Sequence, residues 1–175
     1  MKHAWLARLV LGAALFAAGS LRPRTAAADI LGSVSAGALG GYGFDDALKV
    51  GIGARAGYTF PFKLYAGGTF VYHLGKTESL AGIDVKANVY YYGVEAGYDI
   101  DTVPLLIVRP YLGLGRVTGV AKVGDESSTD SKFGVWPGAA AIIPLGGLFV
   151  GADARYLIVS EYDAFSVFGS VGLKF

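Results

Sequence analysis

From Leu48 to Phe60 the chain alternates with a period of two. Even positions are Leu48, Val50, Ile52, Ala54, Ala56, Tyr58 and Phe60; odd positions are Lys49, Gly51, Gly53, Arg55, Gly57 and Thr59. Successive side chains of a β-strand point to opposite faces, so a segment that is oily on one parity and small or charged on the other is a strand between two different solvents. The pattern recurs over 62–74, 88–100, 106–116, 133–143, 148–158 and 165–175, and more weakly over 30–42. That predicts eight strands, each close to the roughly 9–11 residues that a tilted strand needs to cross a bilayer. Lys49, Arg55, Glu95, Asp99, Arg109, Asp153, Arg155 and Lys174 fall on the polar parity. Arg116 does not; it stands at a strand end, where a long side chain can snorkel to water.

Two alternatives to a membrane barrel need weighing. Phe133 to Ala152 has no charged residue and invites a helical span, but it contains Pro137, Pro144 and five glycines. Interior Pro costs a helix about 3 kcal/mol and Gly about 1 kcal/mol, and the segment reads better as two strands around Pro144 to Gly147. The second alternative is a soluble barrel with its oily face inside. The polar parity is heavy with glycine, which suits the tight interior of an eight-stranded barrel and makes a poor soluble exterior, normally rich in charge. The oily parity carries Tyr42, Phe60, Phe62, Tyr72, Tyr90, Tyr98, Phe165 and Phe175 near strand ends, as do the aromatic girdles of outer-membrane barrels. The expectation is therefore an all-β, eight-stranded, antiparallel up-and-down transmembrane barrel.

The amino terminus fits export. Lys2 and Arg8 precede an apolar run from Leu9 to Ala18, and Ala26-Ala27-Ala28 offers small residues for cleavage before Asp29. This is the layout of a secretory signal peptide; the apolar run is too short for an uncleaved anchor, which needs roughly 20 residues. The expected division is 1–28 signal peptide and 29–175 barrel. Cleavage would leave 11 bases against 14 acids, a net charge of −3. No basic stripe suggests a nucleic-acid partner, and the absence of Cys excludes a disulfide framework.

Connections near Pro61, near Thr102 and at Pro144 to Gly147 are short, whereas Gly75 to Val85 and Val120 to Ser131 are longer and polar. Short periplasmic turns and long outer loops are the rule in such barrels, so the two long connections are the places for an extracellular ligand. The signal peptide, the eight alternating segments and a last strand ending at Phe175 resemble the small outer-membrane barrels of the OmpA and OmpX type, over Asp29 to Phe175. That resemblance implies a bacterial outer-membrane location, contact with its lipid, and help from periplasmic chaperones and the barrel-assembly machinery during biogenesis. It also implies that Val171, Leu173 and Phe175 act as the assembly signal.

Counting residues from the short-turn ends places Arg55, Glu95, Arg109 and Asp153 in one lumen layer, with Arg155 beside it. Glu95 and Arg109 lie symmetrically about Thr102 and are expected to meet across one hairpin. In an eight-stranded barrel such a cluster reads as a packed polar plug; the alternative is a gate in a narrow channel. Trp136, Tyr91 and Tyr111 add bulk to the plug. After cleavage His73 is the only histidine, with no serine at close spacing on its strand, so no Ser–His–acid site can be assembled and the chain is read as non-enzymatic. Asp125, Glu126 and Asp130 lack a calcium-loop pattern, so neither metal nor cofactor is expected. Pro110 and Pro137 fall mid-strand on the oily parity. Proline cannot donate to a ladder, so they mark either two bulges or a lateral seam through which a lipid or small hydrophobic molecule could pass.

Overall fold

The computed structural model describes residues 32–45, 48–80, 83–103, 105–123, 126–160 and 162–175. The expected signal peptide and its cleavage site lie outside these residues. The chain forms β1 (Ser33–Gly43), β2 (Val50–Thr59), β3 (Leu64–Leu80), β4 (Ile83–Tyr98), β5 (Ile100–Val103), β6 (Leu106–Val123), β7 (Glu126–Leu145), β8 (Leu148–Val159) and β9 (Tyr162–Lys174). Each strand pairs antiparallel with its neighbours, β4 pairs with β6, and β1 pairs with β9 from Ser35↔Lys174 to Gly43↔Ser166. The first strand thus meets the last, and no edge is left open. β5 continues the line of β4 past Asp99, so the ring counts eight strands.

Side-chain parity is as the alternation predicts. Ile52 and Val94 are each 60% exposed on the outer wall, whereas Glu95, next to Val94, is 3% exposed inside. The apolar residues thus cover the outside and the ionic ones the inside, the inverse of a soluble barrel. Aromatics gather at both rims. Phe60 stacks on Phe62 at 5.3 Å and meets Tyr58 edge-on at 4.9 Å at the short-turn end. Phe44 meets Tyr42 at 5.8 Å and Phe165 at 5.7 Å at the other end.

The longer connections differ from expectation. Much of 75–85 and 120–131 is strand: β3 and β4 pair out to Leu80↔Ile83, and β6 and β7 to Val123↔Glu126. They are extended hairpins that carry the sheet beyond the apolar band, not open loops. In the second hairpin residues 126–130 are exposed on both faces, so there the alternation disappears while the ladder continues.

Inward glycines make room for large lumen side chains. The Tyr65 ring lies against Gly57 and Gly67, and the Trp136 indole lies against Gly113. A Cβ at Gly57 would stand 2.5 Å from the Tyr65 ring, well inside van der Waals contact.

Candidate functional site

The lumen is the candidate site, and it is layered. Nearest the short turns, Arg109 grips Asp99: its Nε bonds Oδ1, and its Nη2 donates to Oδ2 at 2.9 Å and to the Thr59 hydroxyl at 3.2 Å. The Arg109 guanidinium also lies 3.8 Å from the centre of the Tyr65 ring, a cation–π arrangement.

The second layer is a four-membered ionic ring. Arg55 reaches Glu95 at 2.7 Å and Asp153 at 2.9 Å. Arg155 reaches Asp153 at 2.7 Å and Glu95 at 3.8 Å. Two cations thus alternate with two anions. The Tyr111 hydroxyl donates to Asp153 at 2.9 Å and the Trp136 indole N–H donates to Glu95 at 2.9 Å. Such a buried ring adds little net stability over an apolar core, but removing one member strands a charge and typically costs about 3–5 kcal/mol.

Beyond the ring, toward the long hairpins, the filling turns aromatic and then aliphatic. Arg155 donates to the Tyr91 hydroxyl at 3.4 Å, and its guanidinium lies 4.9 Å from the Phe168 ring centre. Tyr91 packs on Trp136 at 5.2 Å, and His73 stacks on Tyr91 at 6.0 Å and meets Phe168 at 5.6 Å. Leu48, Val71 and Leu157 are fully buried in this part.

The structure thus brings Arg55, Glu95, Asp153 and Arg155 together. Arg109 stands apart from Glu95 and pairs with Asp99. The reason is register: Glu95 faces Gly113, and Gly97 faces Tyr111, which sets Asp99 beside Arg109. The strand register is therefore centred two residues later than symmetry about Thr102 supposes. That register is already in place at Val85↔Val123 and holds past Asp99 to Asp101↔Ile107, and nothing in the hydropathy pattern marks it. The bonds made by Tyr111 and Trp136 were also not readable, although their bulk on the polar parity was.

Pro110 and Pro137 both face outward. The β6–β7 ladder between them is unbroken, with Pro110↔Ala139 and Leu112↔Pro137. The interruption lies on the other side of β7, where pairing with β8 passes from Val135↔Ile158 to Gly138↔Arg155. Val171 and Leu173 lie on the outer wall, 55% and 41% exposed, and Phe175 pairs its backbone with Val34 at the short-turn rim. Among the described residues no three His or carboxylate side chains are grouped to hold a metal ion.

A closed barrel with an apolar outer wall, aromatic rims and an ionic core is an outer-membrane protein by construction, because only a closed sheet satisfies its backbone in lipid. Residues 6–175 match the model of the outer membrane protein beta-barrel domain, and the chain belongs to that family. It is a bacterial outer-membrane protein. No curated protein sequence matches the chain. Among solved structures it is similar to Ail, the attachment invasion locus protein of Yersinia pestis, at 19% identity and TM-score 0.58, over 82% of this chain and 97% of that one. It is also similar to the N-terminal beta-barrel domain of Pseudomonas aeruginosa OprF, at 18% identity and TM-score 0.60, over 83% of this chain and 98% of that one. A major outer membrane protein from Thermus thermophilus aligns at 11% identity and TM-score 0.63, over 82% of this chain and 99% of that one. At these identities the likeness speaks for the fold.

Proposed function

We propose that this chain is a non-enzymatic barrel that contributes structure to the outer membrane and binds an extracellular ligand through its two long hairpins, with a lumen closed to solutes. The observation that carries the closed lumen is the ring of Arg55, Glu95, Asp153 and Arg155, sealed on its hairpin side by Trp136, Tyr91 and Phe168. By the rule for such barrels the short turns face the periplasm and the hairpins β3–β4 and β6–β7 face outward. Ail, similar in fold, has been solved in complex with the heparin analogue sucrose octasulfate, which supports ligand binding on a barrel of this size. His73 packs against Tyr91 and Phe168, a setting that argues for a filling role and against catalysis.

On this proposal the chain is exported with removal of residues 1–28. Periplasmic chaperones escort it, and the barrel-assembly machinery recognises Val171, Leu173 and Phe175. The exposed, outward alternation of those three residues supports the last point. Planar-bilayer recording on the refolded protein tests the closed lumen. Silence is expected; steady conductance that rises on replacing Arg155 with Ala would favour a narrow channel. The second possibility, lateral access for a lipid or small hydrophobic molecule, has in its favour the missing β7–β8 pairs at Trp136 and Pro137.

A further inference from the structure

The plug does not fill the barrel evenly. On its short-turn side a cavity of about 40 Å³ remains, and it shares Thr59, Asp99, Ile107, Pro144 and Lys174 with a wider opening of about 470 Å³ at the strand ends. The lumen is therefore a blind vestibule, open toward the short turns and closed above by Arg55 and its partners.

The vestibule has two unlike sides. Leu39, Ile107, Ile142 and Phe149 form an apolar wall. Phe149 holds a fixed place there, because its ring tip lies over Gly37 and Gly172, where a Cβ at either would come within 2.8 Å of it. Along β1 and β9 run Ser35, Ser170 and Lys174, with Ser35 and Lys174 directly opposite each other across the ladder. Arg109 and Arg55 complete the polar side, and each is already neutralised, by Asp99 and by Glu95 and Asp153. Lys174 is not: among the described residues its ammonium meets no carboxylate, and among the same residues the hydroxyls of Ser35 and Ser170 find no hydrogen-bond partner. One cation and two hydroxyls, all able to donate, thus face an apolar wall in a recess.

We infer that this vestibule is a binding site for a small carboxylate with a short apolar tail. The carboxylate would take the donors of Lys174 and the two serines, and the tail would lie on Phe149 and Ile142. The enclosed space holds about three waters, which matches a carboxylate and its first carbons and excludes a large ligand. Access from the short-turn side makes the ligand a periplasmic one, independent of whatever the outer hairpins bind.

The test is a titration of isotope-labelled, folded barrel in micelles with butyrate, read by amide and methyl chemical shifts. Sodium chloride and n-butanol serve as an anion without a tail and a tail without a charge. Butyrate should shift Ser35, Leu39, Phe149, Ser170 and Lys174 and leave the outer hairpins still. Neither control should reproduce the pattern. Lys174→Gln should weaken butyrate roughly tenfold or more, the scale of one lost charge-assisted bond, and Ala140→Leu, which fills the recess from β7, should abolish it. If Ala140→Leu does not give a dispersed spectrum, Lys174→Gln alone decides. Vestibule shifts absent with butyrate, equal with chloride, or unchanged in Lys174→Gln would overturn the proposal.

Discussion

Trp136 on β7 donates its indole N–H to Glu95 on β4 at 2.9 Å, across the interior of the barrel. The bond ties the ionic ring to the aromatic layer beside it, and Trp136 has no exposed surface. Replacing Trp136 with Phe keeps most of the bulk and removes the donor. Glu95 then loses one of its bonds in a low-dielectric site, and the expected cost is about 1–3 kcal/mol. Urea unfolding of the barrel in lipid vesicles measures it; an unchanged midpoint would mean that the bond is immaterial to the plug.

The two lumen layers should be energetically separable. A double-mutant cycle on Asp99 and Arg109 should give a coupling of about 0.5–3 kcal/mol, the range for residues in direct contact. The same cycle on Glu95 and Arg109 should give a coupling near zero, since Gly113 and not Arg109 stands opposite Glu95. The reverse result would restore the symmetric hairpin about Thr102.

Glycines on the two walls should respond oppositely to alanine. A Cβ at Gly113 would collide with the Trp136 indole, whereas a Cβ at Gly40, on the outer wall, meets nothing within 4 Å. Gly113→Ala is expected to destabilise by about 1–3 kcal/mol or to block folding, as overpacking does. Gly40→Ala should leave stability unchanged or slightly raised. The gel shift between folded and heat-unfolded forms reports both.

The strand pattern was legible because two solvents imprint it residue by residue: Val94 faces lipid and Glu95 faces the lumen. Counting from the short turns put Arg55, Glu95, Arg109 and Asp153 in one layer; the ring holds the first two and Asp153 with Arg155, and Arg109 pairs with Asp99 instead. What was not legible depended on register and on water. Asp99 as the partner of Arg109 follows from a β4–β6 register centred two residues beyond Thr102, which leaves no mark on hydropathy. In the second hairpin extension residues 126–130 are exposed on both faces, so strand and loop look alike in sequence. Phe44, which joins the rim aromatics with Phe165 at 5.7 Å, lies beyond the alternating part of β1 and gave no parity signal.

The β7–β8 ladder is interrupted within the barrel wall. Pairing is missing at Trp136 and Pro137, opposite Tyr156 and Leu157, whereas the β6–β7 ladder is continuous. Amide exchange in micelles should find whichever of Tyr156 and Leu157 points its N–H at β7 faster than the neighbouring amides of β8. Uniform protection along β8 would remove the case for lateral access.

Lipid touches the apolar parity of every strand while the ionic groups stay inside, and all else in the barrel depends on that arrangement. Once the expected signal peptide is gone, Trp136 is the only tryptophan, so fluorescence quenching by brominated lipid tests this directly. In vesicles of brominated phosphatidylcholine, native Trp136 should keep its emission. A Leu112→Trp substitution in a Trp136→Phe background, on the outer wall where Leu112 is 49% exposed, should be strongly quenched. Quenching of Trp136 with sparing of the tryptophan at 112 would contradict the inside-out barrel.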